Sequence, residues 1–181
     1  MLRMIIFASG SGTNAENIIK YFKNSELAEV SYVVSNKANA GVLERAKRLN
    51  VPFKVFSKQE METSSFLDFL SEHADFLVLA GFLLKVPDRM ISLFTNAIVN
   101  IHPALLPKYG GKGMYGMHVH RAVVANQESE SGITIHYVNE HYDEGAVIFQ
   151  ANTAVAKTDS AAAVAAKTHQ LEHAHFAPQI H

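Results

Sequence analysis

The chain has 181 residues, 48% of them hydrophobic, so it can bury one sizeable core but is short for two ordinary domains. Sixteen Lys and Arg residues nearly balance 17 Asp and Glu residues, which gives no reason to expect a polyanion such as DNA as the main partner. The absence of cysteine excludes disulfides, thiolate catalysis and thiolate metal sites.

Apolar runs in the first hundred residues predict buried strands over residues 4–8, 30–35, 53–56, 76–80 and 97–101. Helix-length patterns lie between most of these runs. This alternation predicts an α/β fold, a single Rossmann-like domain over residues 1–181 with a mostly parallel sheet and helices on both faces. The first run is too short for a signal peptide, and no stretch approaches the roughly 20 apolar residues of a membrane helix, so we expect a cytoplasmic protein.

The second half of the chain has a different pattern. A long Gly-rich segment is followed by a predicted helix near residues 118–127 and by two predicted strands around residues 132–138 and 146–153. A final helix is predicted from about Ser160. Two strands in succession favour antiparallel pairing, so the sequence predicts a mixed carboxyl-terminal part of the sheet.

A glycine loop, Ser9-Gly10-Ser11-Gly12-Thr13-Asn14, joins the first strand to the first helix. Either Thr13 or Asn14 can cap that helix, and its terminal amides favour an anion. The loop lacks the dinucleotide pattern G-x-G-x-x-G, because Ala15 stands three places after Gly12. It therefore indicates either a monophosphate site or a plain tight turn.

Two polar residues stand at alternate positions where the fifth predicted strand ends, Asn100 and His102. Alternation puts them on the same side, and ligands of open α/β sheets gather outside the carboxyl ends of the strands. A later loop carries Asp143 two positions before Gly145, where an aspartate is either a turn former or a charged group of a site.

These motifs together resemble the phosphoribosylglycinamide formyltransferases. The resemblance covers essentially the whole chain and rests on motifs in this order: residues 10–14, Ala80-Gly81-Phe82, Asn100-Ile101-His102-Pro103 with Leu105-Leu106-Pro107, Gly110 to His120, and Asp143-x-Gly145.

The resemblance implies a role for each matching residue. Asn100, His102 and Asp143 match the catalytic trio of the family. The residues expected to bind glycinamide ribonucleotide are Gly12, Thr13, Asn14, Gly81, Ile101 and Glu172, the first three at its phosphate. The walls of the pocket for 10-formyltetrahydrofolate, the formyl donor, are expected from Leu83, Leu84, Lys85, Val86, Asn139, Glu140, His141 and Tyr142. No metal is expected.

The expected reaction is direct transfer of the formyl group to the substrate amine through a tetrahedral intermediate. Donors from Asn100 and His102 would hold the oxyanion, and Asp143 would tune the pKa of His102 and carry a proton, through a water molecule. The expected partners are small molecules only, without nucleic acid or membrane, and the expected state is a monomer or a homodimer.

Two related enzymes share the Asn-x-His and Asp arrangement. A methionyl-tRNA formyltransferase is disfavoured because the chain is neutral overall and shows no second, basic domain. A formyltetrahydrofolate hydrolase is disfavoured because an enzyme that uses water as acceptor has less need of a phosphate loop.

Two further interpretations come from other classes of protein. Residues His169-x-x-Glu172-His173 match the H-x-x-E-H pattern of some zinc proteases, and His118-x-His120 adds possible ligands. A non-catalytic nucleotide-binding module would account for the glycine loop but not for the trio.

Overall fold

The computed structural model describes residues 1–180, which form seven strands and six α-helices. The strands are β1 (Leu2–Phe7), β2 (Ala28–Ser35), β3 (Phe53–Val55), β4 (Phe76–Leu79), β5 (Ile98–His102), β6 (Glu130–Tyr137) and β7 (Val147–Ala154). The helices are α1 (Thr13–Phe22), α2 (Gly41–Arg48), α3 (Ser64–His73), α4 (Asp88–Leu93), α5 (Met117–Ala125) and α6 (Ala161–His175). All seven predicted strands are present, with ends that differ from the prediction by at most two residues.

The described residues divide into two compact units, 1–99 with 180, and 100–179. In the first unit the strand order is β3-β2-β1-β4, and every neighbouring pair is parallel. In the second unit β5, β6 and β7 follow in that order, and β6 pairs with β7 antiparallel. The predicted α/β fold with a mostly parallel sheet and a mixed carboxyl-terminal part is therefore confirmed. That residues 1–181 form one domain stays a prediction.

The core of the first unit is built around β1. Residues 4–7 have no exposed surface, as expected for an apolar strand with a parallel neighbour on each side. Helix α1 packs with Ile18, Ile19 and Phe22 buried, which agrees with the predicted apolar side of that helix. Among residues 1–180, no helix is long and apolar enough to span a membrane.

The start of α1 corrects one detail of the sequence analysis. The helix begins at Thr13 as predicted, but its cap is Gly12, and no side chain caps it. Gly12 has φ +77°, and a Cβ atom there would lie 2.4 Å from the side chain of Val42. Only glycine combines that backbone conformation with so close a neighbour.

Helix α1 also carries a nearly buried carboxylate, Glu16, which is 9% exposed. It pairs with Lys20 at 2.6 Å, with Arg48 at 2.8 Å and with Arg45. Hydrogen bonds from Lys20 and Arg45, with the charge of Arg48, lower the pKa of Glu16 to about 2. The first turns of α1 are therefore tied to α2 by a carboxylate that stays ionised over the whole ordinary pH range.

This carboxylate should make the protein less stable in acid. Its folded-state pKa lies below the ordinary value of 4.5, so its stabilisation is complete above pH 4.5 and is lost as the pH falls towards about 2. We expect Glu16→Gln to lower the free energy of unfolding by on the order of 1–3 kcal/mol at pH 7, with the difference from the parent shrinking between pH 4.5 and 2. Denaturant unfolding at several pH values measures this.

The control is Glu44→Gln on the exposed face of α2, which should change the stability little at any pH. An effect of Glu16→Gln that is equally large at pH 2 and pH 7 would contradict the assignment.

Candidate active site

The second unit brings the predicted catalytic trio together. Asn100 and His102 lie at alternate positions of β5, and His102 is 4% exposed. The Nδ1 atom of His102 is 3.5 Å from Oδ2 of Asp143. A fourth residue, His136 of β6, lies between the other two: its Nε2 is 3.1 Å from Nδ2 of Asn100 and 3.6 Å from Oδ1 of Asp143.

The hydrogen bonds of His102 define its tautomer. Its Nε2 is 2.7 Å from the carbonyl oxygen of Tyr109, which can only accept, so Nε2 carries a proton. In the neutral ring Nδ1 is then unprotonated and faces Asp143. Burial lowers the pKa of His102, although the Asp143 charge and the Tyr109 carbonyl both oppose this effect. The structure thus presents a neutral imidazole whose free nitrogen is next to a carboxylate.

Asp143 is both a turn residue and a member of the site. Its φ is +58°, a left-handed conformation that Asp tolerates better than most residues. Its Oδ2 accepts a hydrogen bond of 2.9 Å from the Gly111 amide. Burial by itself would raise the pKa of Asp143, but His136, His102 and the Gly111 amide outweigh it and lower the pKa on balance. The carboxylate is therefore ionised at neutral pH.

His136 was not among the residues predicted from the sequence. Its Nδ1 lies 2.8 Å from the carbonyl oxygen of Tyr137, so in the neutral ring Nδ1 donates and Nε2 accepts from Asn100. This bond holds the Asn100 side chain with its amide nitrogen towards His136. Residues 131–136 of β6 are all buried, so no alternation in the strand singles out His136.

Tyr109, whose carbonyl oxygen accepts from His102, was also missed. It is a non-glycine residue with φ +58°, a conformation that needs support from its surroundings. Its hydroxyl donates to Glu128 at 2.8 Å and accepts from Asn126 at 2.9 Å. These bonds fix the loop that carries the carbonyl group.

In the first unit, Ser9 of the glycine loop contacts the segment that contains Gly81 and Leu83, both predicted to bind substrates. Ser9 is 3% exposed. The Ser9 amide donates to the carbonyl oxygen of Gly81 at 3.0 Å, and the Leu83 amide donates to the Ser9 hydroxyl at 3.1 Å. That hydroxyl donates to Asn36 at 2.7 Å. Gly12 is buried at the start of α1, and Thr13 and Asn14 are half-buried there.

The remaining residues of the predicted folate pocket lie in two loops. In the first unit Leu84 is half-buried, Lys85 exposed and Val86 buried. In the second unit Asn139 is half-buried, and Glu140, His141 and Tyr142 are exposed. The His141 amide donates to the side chain of Asn139 at 2.9 Å, which shapes the turn.

Ile101 and Glu172, both predicted to contact the ribonucleotide, lie in the second unit. Ile101 is 7% exposed in β5. Glu172 lies on α6, and its Oε2 is 3.1 Å from Nδ1 of His169. The rings of His169 and His173 lie with their centroids 4.3 Å apart. Within residues 1–180, no group of three or more His, Asp or Glu side chains is arranged to hold a metal ion.

The cluster of Asn100, His102, Asp143 and His136 places proton donors and acceptors together at the end of β5, in an α/β fold. A formyl transferase family model matches residues 2–180, and the chain belongs to the formyl transferase family.

The names of similar proteins are consistent with this family. The chain is 36% identical to phosphoribosylglycinamide formyltransferase of Haemophilus influenzae over 180 residues, 96% of this chain and 82% of the relative. It is 38% identical to a chloroplastic protein of the same name from Vigna unguiculata, over 94% of this chain and 57% of the relative. A second chloroplastic relative, from Arabidopsis thaliana, is matched over 61% of its length, so the chain spans about three fifths of these plant proteins.

Solved structures show the same fold. Glycinamide ribonucleotide transformylase 1 of Symbiobacterium toebii aligns with a TM-score of 0.90 and 29% identity, over 99% of this chain and 86% of that one. The protein of the same name from Geobacillus kaustophilus aligns with a TM-score of 0.89 and 34% identity, over 99% and 97%.

The contact between His102 and Asp143 predicts the effect of a single substitution. Asn keeps the size of Asp and tolerates its left-handed conformation but has no charge, so Asp143→Asn should lower the pKa of His102 further, because a nearby negative charge favours the imidazolium. An NMR titration of the His102 ring measures this.

The matched control is Glu144→Gln, which removes the adjacent, exposed carboxylate and should leave the His102 titration unchanged. If the Asp143→Asn variant is folded and the pKa of His102 is unchanged or raised, Asp143 does not act on His102 and its assignment to the site is wrong.

Proposed function

We propose that the chain transfers the formyl group of 10-formyltetrahydrofolate to the amine of 5′-phosphoribosylglycinamide. The observation that carries this proposal is the cluster of Asn100, His102, Asp143 and His136 in a chain that matches the formyl transferase family over residues 2–180. The names of the relatives from Haemophilus and Geobacillus support the same acceptor.

The chemistry requires groups of this kind. The substrate amine attacks the formyl carbon and gives a tetrahedral intermediate with an oxyanion, an ammonium group and an amine leaving group. A donor must stabilise the oxyanion, and a proton must move from the incoming nitrogen to the leaving nitrogen. No covalent enzyme intermediate is needed, because holding the two substrates in line supplies much of the rate.

The proposed roles follow from the hydrogen bonds of each residue. One hydrogen of the Asn100 amide goes to His136, which leaves the second for the oxyanion, an interaction typically worth roughly 3 kcal/mol. The Nε2 proton of His102 is bonded to the Tyr109 carbonyl and is not available to the oxyanion, in contrast to the expectation from the sequence. Its free Nδ1 is suited to take up a proton from the ammonium group and to return it to the leaving nitrogen. Asp143 stabilises the imidazolium that results.

We propose further that the glycine loop at Gly12, Thr13 and Asn14 binds the phosphate of the ribonucleotide. Gly81, Ile101 and Glu172 would contact the same substrate. The folate would be held by Leu83, Leu84, Lys85 and Val86 and by Asn139, Glu140, His141 and Tyr142.

One assay tests the reaction against its nearest alternatives. The protein is mixed with 10-formyltetrahydrofolate with and without 5′-phosphoribosylglycinamide, and the deformylated folate is followed by its absorbance. Turnover only in the presence of the ribonucleotide is the expected result. Turnover without it would identify a hydrolase, and formylation of charged initiator tRNA instead would identify a tRNA formyltransferase.

His102 should act in the transition state and not in ground-state binding, because the charge that it handles appears only after attack. We expect His102→Ala to lower kcat by about two orders of magnitude with little change in the dissociation constant of either substrate. Steady-state kinetics with equilibrium binding measures both. Lost binding with an unchanged kcat would rule out the proposed role.

The transfer is also expected to need no metal, since Asn100, His102 and Asp143 supply the donors and the acceptor themselves. Full activity should remain after exhaustive chelation and gel filtration, measured in the same assay. Activity that is lost on chelation and returns with one equivalent of zinc would contradict this mechanism.

A further inference from the structure

Helix α2 holds the glycine loop in place through two hydrogen bonds. The carbonyl oxygen of Gly10 accepts a hydrogen bond of 3.1 Å from the Val42 amide. The carbonyl oxygen of Ser11 accepts one of 2.7 Å from Nε of Arg45. Two consecutive peptide carbonyls of the loop are thus bonded to the same helix, one by its backbone and one by a side chain.

These two bonds determine where the loop amides point. In a trans peptide the N–H group points opposite to the carbonyl group of the same peptide. The Gly10 carbonyl shares its peptide with the Ser11 amide, and the Ser11 carbonyl shares its peptide with the Gly12 amide. Both amides are therefore directed away from α2, and successive amides turned to one side form a concave site for an anion.

Close packing limits other conformations of the loop. The side chain of Val42 fills the space where Gly12 would carry a Cβ atom, at 2.4 Å. A Cβ atom on Gly41 would lie 3.2 Å from the backbone of Ser11. Helix α2 therefore contacts the loop at van der Waals distance, and a rotated Ser11 peptide would lose the Arg45 bond.

Arg45 is itself fixed by the buried carboxylate of α1. Its Nη1 pairs with Oε2 of Glu16, while its Nε donates to Ser11. Glu16 also pairs with Arg48 at 2.8 Å, but the bond that the structure gives Arg48 is to Glu16 and not to the loop. The two arginines thus share a partner and differ in the contact with Ser11.

We infer that Arg45 is a positioning residue for phosphate recognition: by bonding to the Ser11 carbonyl, it turns the Ser11 and Gly12 amides towards the substrate phosphate. This inference rests on the proposed function, in which the glycine loop binds the phosphate of the ribonucleotide. The Arg45 side chain lies on the side of the loop that faces α2 and does not itself need to contact the phosphate. Its contribution is the direction of the amides.

The test compares Arg45→Ala with Arg48→Ala. Both remove one guanidinium from Glu16, but only the first removes the bond to Ser11. We expect Arg45→Ala to raise KM for the ribonucleotide by about tenfold or more, with little change in KM for the folate or in the activity with the dephosphorylated riboside. Arg48→Ala should stay within about twofold of the parent in all of these. Thermal melting checks that both variants are folded.

A third variant covers the case in which Arg45→Ala fails to fold. Arg45→Lys keeps a positive charge beside Glu16, but a single ammonium cannot reproduce the two directed bonds of the guanidinium. It should therefore fold and still bind the ribonucleotide several-fold more weakly. Parent-like affinity in Arg45→Lys, or equal losses in Arg45→Ala and Arg48→Ala, would overturn the inference, as would equal losses for the ribonucleotide and the riboside.

Calorimetric titration with inorganic phosphate separates this inference from the proposed reaction. The parent should bind phosphate, and Arg45→Ala should bind it about tenfold more weakly while Arg48→Ala does not. That result supports the positioning role even if the ribonucleotide is not formylated. A parent protein that binds neither phosphate nor the ribonucleotide would overturn the inference.

Discussion

Charge compensation inside the second unit is the constraint on which its site depends. Asp143 has a side chain only 12% exposed, and a carboxylate in such a place must be paired or become protonated. The Gly111 amide donates a hydrogen bond to this carboxylate, and a proton taken up by His102 would place a positive charge 3.5 Å from its Oδ2. The carbonyl oxygen of Tyr109 orients the His102 ring beside this carboxylate, so hydrogen bonds to the backbone hold both the charge and the ring in place.

The first unit follows the same principle with a different outcome. Glu16 is also nearly buried, but its partners are Lys20 of its own helix and the guanidinium groups of Arg45 and Arg48, so it joins α1 to α2. Asp143 instead lies beside His102, and histidine is the side chain whose ordinary pKa is nearest to neutral pH. The partners therefore distinguish the two carboxylates: Glu16 joins two helices, and Asp143 lies beside a ring that can accept a proton.

Backbone groups position side chains in both units. The Tyr109 carbonyl defines the tautomer of His102, the Gly111 amide bonds to Asp143, and the Ser11 carbonyl is bonded to Arg45. Such groups are present at every residue, and their roles depend on conformation alone. Left-handed conformations at Gly12, Tyr109 and Asp143 show how much of this arrangement depends on the backbone.

The sequence by itself determined the order of strands and helices, because apolar runs and their spacing are local properties of the chain. It also predicted a site at Asn100, His102 and Asp143, through alternation along one strand and a resemblance carried by ordered motifs, and the structure brings these three residues close together. Only the tertiary structure decided which groups complete the site. His136 reaches Asn100 from 36 positions away and Arg45 reaches Ser11 from 34. Contacts between segments so distant depend on strand register and helix packing, which no local pattern encodes.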